Sequence, residues 1–99
     1  MPDYSVSFKI PMSPGALLEK VQAVAFLYGM SIIELHPGSG IVLNWRPNPV
    51  GNAIKVRVEV KSREDGSSVT MTSHVFGFGP WAEDSLKKKT TEFQMEILT

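Results

Sequence analysis

Between Ala53 and Lys61, the residues Ile54, Val56, Val58 and Val60 alternate without a break with Lys55, Arg57, Glu59 and Lys61. A period of two puts the four β-branched side chains on one face of a strand and the four charges on the other. A sheet made of such strands has a wet face and a dry face, and the dry face must be covered. Two helical segments flank this region in sequence, so the chain is constrained to a sheet with helices on one side.

The remaining elements follow the same logic. Tyr4, Val6, Phe8 and Ile10 alternate with Ser5, Ser7 and Lys9 in a first strand that Pro11 ends. Ser13-Pro14 is a helix start, with serine as the N-cap and proline where its missing N–H costs nothing. Leu17, Val21, Val24, Ala25 and Tyr28 then recur at helical spacing, and Gly29 closes the helix. Phe26 falls on the Glu19 and Gln22 side, where the core does not claim it.

Met30 to Leu35 is a short second strand in which Ile32 and Ile33 compete for the inside. The expected register turns Ile33 and Leu35 inward, which keeps His36 out of the core. Pro37 to Gly40 reads as a turn, and Ile41, Leu43 and Trp45 form the inner side of a third strand, with Val42, Asn44 and Arg46 outward. Residues 47–52 hold too many breakers to be anything but a loop. After the central strand, Asp65-Gly66 marks a hairpin leading to Val69, Met71, Ser73 and Val75 against Thr70, Thr72 and His74. A last helix runs from about Pro80 to Leu98, with Ala82, Leu86, Thr90, Phe93 and Ile97 as its inner stripe.

The order is β-α-β-β-β-β-α in one α+β domain over residues 1–99. The first helix returns the chain, so strands one and two run the same way, and strand five, three reversals later, runs opposite to both. Strand one can then pair with strand five. The expected fold is a five-stranded antiparallel sheet in the order 1-5-4-3-2 with both helices on one face.

A proline-bracketed segment before a helix ending in "YGM", followed by "PGSGIV", "VRVEV", "DGSSV" and a glycine-rich step into a C-terminal helix, resembles small bacterial domains of helix-grip or TATA-binding-protein-like layout. The plan is similar to domains of outer-membrane assembly lipoproteins and to shortened relatives of the START-type ligand-binding fold. That resemblance rests on element order and implies no catalytic motif. START-type proteins enclose a cavity with further strands and helices that this order lacks.

Composition discounts several kinds of chemistry. Lysines and arginines balance aspartates and glutamates to a net charge of zero, so no global field favours nucleic acid or an anionic membrane. The chain has no cysteine, which removes disulfides, thiolate metal sites and thiol catalysis together. No apolar run reaches the length of a membrane span, and the N-terminus lacks a signal-peptide pattern, so the cytoplasm is the expected compartment. His36 and His74 lie on different strands without acidic residues at ligand spacing, so neither a metal nor another cofactor is expected. Gly38-Ser39-Gly40 and Gly77-Phe78-Gly79 lack the ending of a phosphate loop and read as turns. No nucleophile elbow occurs, and the chain is expected not to be an enzyme.

Three functions remain, led by a non-enzymatic interaction or structural module that forms a homodimer through Phe26 and Ile32. The alternative is a small apolar ligand in the helix–sheet cleft, lined by Trp45, Phe78 and Trp81 with Arg46 or His74 at its rim. A weak nucleic-acid site on the basic sheet face comes third, and the expectation is against it because the face offers no aromatic stacking platform.

Overall fold

The structure is a computed structural model in which residues 3–46, 53–75 and 80–99 are described, except for the side chains of residues 80–83 and 85. Its elements are β1 (Asp3–Ile10), α1 (Pro14–Leu27), β2 (Ser31–His36), β3 (Gly40–Trp45), β4 (Ile54–Arg63), β5 (Gly66–Val75) and α2 (Pro80–Leu98). The strands form one sheet in the order β1-β5-β4-β3-β2, and every neighbouring pair is antiparallel. Element order and strand order are those read from the sequence.

The alternation in β4 and β5 has the consequence it must. Ile54, Val56, Val58 and Val60 are buried, as are Val69, Met71, Ser73 and Val75. Their cross-strand partners face the same side, with Val56 opposite Ser73 and Val58 opposite Met71. Helix α1 packs on β3, β4 and β5, and α2 packs on β1 and β5. Leu17, Leu18, Val21, Val24 and Ala25 from α1 meet Leu86, Phe93 and Ile97 from α2 over the inner sheet face. Leu17, Leu43, Val58, Met71, Phe93 and Ile97 are shut off from solvent entirely. Burying one such side chain contributes about 1.5–3 kcal/mol, so this layer is the main source of stability.

Local chemistry fixes the ends of α1. Ser13 Oγ accepts from the Ala16 N–H at 3.4 Å and Pro14 starts the helix. At the other end the Met30 N–H reaches the Ala25 carbonyl at 2.9 Å and the Gly29 N–H the Phe26 carbonyl at 3.1 Å. This pair of bonds requires the left-handed backbone that Gly29 adopts at φ 73. The chain therefore turns sharply from α1 into β2.

Strand β2 departs from expectation. Ile32 pairs with Leu43 and Leu35 with Ile41, but Glu34 pairs with Val42, so the ladder slips between Ile32 and Glu34. This is a bulge with Ile33 as the extra residue. Ile32 and Leu35, three apart, therefore occupy the inner-face register, and Ile33 does not. The expected choice between Ile32 and Ile33 assumed an unbroken period of two, which the bulge removes. None of the six residues is buried.

Candidate functional site

The candidate site is β2 with the end of α1 that feeds it. Phe26 and Leu27, on the last turn of α1, are 83% and 77% exposed. Ile32, Ile33 and Leu35 on β2 are 49%, 48% and 43% exposed. The Schellman turn at Gly29 separates these two groups by only four residues along the chain. At the far end of β2, Ser39 N–H bonds the His36 carbonyl at 3.0 Å across Pro37 and Gly38. With proline second and a glycine of φ 77 third, this has the residues of a type II turn. It holds β2 against β3, and among the described residues β2 is the last strand of the sheet, with no strand on its other edge.

The edge carries few of the features that discourage pairing. Lysine and proline are absent from Ser31–His36, which carries one carboxylate and one imidazole, with His36 Nε2 3.3 Å from Glu34 Oε2. The opposite edge, β1, differs: Lys9 stands near its end and Pro11 follows. An edge strand of apolar residues without lysine is open to a further strand.

The outer face of the sheet is polar. Ser5 bonds Thr72 at 3.1 Å and Ser7 bonds Thr70 at 3.4 Å, which ties β1 to β5 by hydroxyl pairs. Asp3 Oδ1 pairs with His74 Nδ1 at the end of the same two strands. No sequence pattern points to this pair, because its members are 71 residues apart and only the β1–β5 register joins them. Val42 is buried although it belongs to this face, lying in register between Glu34 and Arg57. A groove of about 480 Å³ runs here, bordered by Glu34, His36, Arg57, Glu59 and Lys61. Its charges are mixed, which gives it no preference for anions.

Of the residues proposed for a helix–sheet cleft, the structure describes Trp45, Arg46 and His74, and these three do not converge. Trp45 is buried, its ring 5.5 Å from that of Tyr28 and 6.3 Å from that of Phe93, with Tyr28 and Phe93 5.9 Å apart. Arg46 is exposed just beyond β3. His74 sits beside Val75 in β5 and so points to the outer face, away from Trp45. Phe78 and the side chain of Trp81 lie outside the described residues. Burial, together with the carboxylates of Glu96 and Glu92, raises the Tyr28 phenol above its ordinary value. A second hollow, of about 600 Å³, lies beside Tyr28 along α2, bordered by Lys87, Lys88 and Met95.

Among the described residues no group of three or more His, Cys, Asp or Glu side chains could hold a metal ion, and no helix is long and apolar enough to cross a membrane. The architecture is that of a small α+β domain. No protein-family model and no curated protein matches the chain. Among solved structures, protein MLL2253 from Mesorhizobium loti is similar to it with a TM-score of 0.72 at 12% identity, over 96% of this chain and 93% of that one. Ara h 8.0201 aligns over 96% of this chain and 93% of its own at 14% identity, but its TM-score of 0.49 is too low to argue from. The likeness to MLL2253 bears on fold alone.

Proposed function

We propose that this domain is a non-enzymatic interaction module that associates with a second copy of itself through β2 and the end of α1. The observation that carries this reading is the exposure of five large apolar side chains, Phe26 and Leu27 at the end of α1 and Ile32, Ile33 and Leu35 on the edge strand that follows it. Scattered exposed apolar residues are normal on a monomer, but a run of them beside an open sheet edge is the kind of surface an interface hides. A net charge of zero adds no long-range repulsion between copies. A twofold contact would cover both copies' patches at once.

Light scattering at high micromolar concentration tests this. The wild type should have the mass of a dimer, and Phe26→Glu or Ile32→Lys should return it to a monomer with an unchanged circular dichroism spectrum. A monomeric wild type sinks the proposal. Unfolding of both variants would do the same, because it would place these side chains in the core.

The cleft reading stands second. What supports it is the helix-grip-like plan; against it, the rings of Tyr28, Trp45 and Phe93 already meet where Trp45 enters the core.

A further inference from the structure

Resting on that self-association, we infer that the two copies join by antiparallel pairing of β2 with β2, in the one register that sets Ile32 opposite Leu35 of the other copy. The bulge at Ile33 dictates this register. In a regular strand, residues on one face are two or four apart. In β2 they are three apart: Ile32 and Leu35 hold inner-face positions opposite Leu43 and Ile41, while Ser31 and Glu34 hold outer-face positions opposite Asn44 and Val42, and His36 aligns with Gly40.

Two antiparallel strands keep their faces matched only if every paired couple points the same way. For two regular copies of one strand, the twofold axis must pass through a residue. For two bulged copies it falls between Ile33 and Glu34. Ile32 then meets Leu35 of the other copy twice on the inner face, and Ser31 meets His36 twice on the outer face. All six residues of each strand overlap.

This spacing also selects the partner. A regular foreign strand could match one half of β2 and would be out of phase in the other half, with polar residues turned against the inner face. A second copy carries the same three-residue interval and is in phase throughout. The two sheets would become one sheet of ten strands, with Ile32, Leu35, Leu35 and Ile32 as a continuous inner-face row across the junction.

The absence of native cysteine makes disulfide mapping direct. One preparation of the full chain carries Ile32→Cys and an isotope-labelled preparation carries Leu35→Cys. The two are mixed, oxidised mildly and weighed by mass spectrometry. A disulfide needs Cα atoms within about 7 Å, which directly opposed residues satisfy and residues three positions out of register do not. Mixed-label cross-linked dimer should exceed the self-linked product of either variant at least tenfold. Because these substitutions trim the apolar contact, Ser31→Cys mixed with His36→Cys repeats the test on the outer face, with Lys9→Cys on β1 as the control that should not cross-link.

Equal cross-linking in single-variant preparations overturns the register. Cross-linking through Phe26→Cys alone, in a protein that is dimeric by light scattering, overturns strand pairing but leaves self-association intact. A monomeric wild type removes both proposals together.

Discussion

Replacing Thr90 with valine should cost far more than its near-identical volume suggests. Thr90 on α2 and Ser73 on β5 are both buried, and their hydroxyl oxygens lie 2.8 Å apart. Thr90 Oγ1 is also 2.7 Å from the Leu86 carbonyl oxygen one helical turn earlier. Each hydroxyl has a single proton, so each depends on the other for a complete set of partners. Thr90→Val keeps the shape but strands the Ser73 hydroxyl in an apolar layer, at a cost of about 1–3 kcal/mol. In Ser73→Ala the Thr90 hydroxyl keeps the Leu86 carbonyl, and the loss should be about 0.5–1.5 kcal/mol. With both hydroxyls gone nothing is left unsatisfied, so the double variant should be no less stable than Thr90→Val and close to wild type.

A four-way urea series measures this, read as midpoint shifts at constant slope. Two residues in contact should show a coupling of about 1–3 kcal/mol, with the double variant more stable than the sum of the singles. In a domain of this size 1 kcal/mol moves the thermal midpoint by roughly 4–8 °C, so the effect is well above error. Additive losses, or a Thr90→Val cost below about 0.5 kcal/mol, would mean that this hydrogen bond does not fasten α2 to the sheet and that apolar packing alone does.

Gly66→Ala should destabilise the fold by about 1–3 kcal/mol or more in the same assay, since Gly66 has φ 140 and an added Cβ would stand 2.2 Å from the Ile10 carbonyl oxygen; a neutral result would refute that close approach between the β4–β5 hairpin and the end of β1. Chelator treatment should leave the thermal midpoint where it was, and a fall of several degrees would reveal a structural metal. Binding to single-stranded nucleic acid should be weak and vanish by moderate salt; micromolar affinity at physiological salt, lost on Lys55→Glu and Arg57→Glu, would overturn that expectation. Stability should decline as pH rises above the ordinary tyrosine value of 10.0, because the unfolded chain gives up the Tyr28 proton there while the folded chain still holds it. Tyr28→Phe should flatten that decline, and an unchanged alkaline slope would count against the raised value.

Much of the architecture could be read before the fold was seen, because it follows from local periodicity and parity. The unbroken alternation from Ile54 to Val60 makes β4 a half-buried strand in any compact fold, and the stripe Leu86, Thr90, Phe93 and Ile97 makes α2 a helix with one covered side. Counting reversals then allows β1 to pair antiparallel with β5, which is the neighbour it has in the sheet. The exposure of Phe26 was legible for the same reason, as it falls off the helical stripe.

The tertiary structure decided what depends on pairs distant in sequence. Asp3 meets His74, and Thr90 meets Ser73, only because a particular strand register and helix docking bring them within reach. Val42 is buried on the polar face through its place between Glu34 and Arg57, which no pattern within β3 could reveal. The register of β2 lies between these cases. Ile32 and Ile33 announced a conflict, but a period of two offers only two answers, and the ladder to β3 chose a third by adding a residue. A bulge is settled by hydrogen bonds between strands, and those exist only once the sheet has formed.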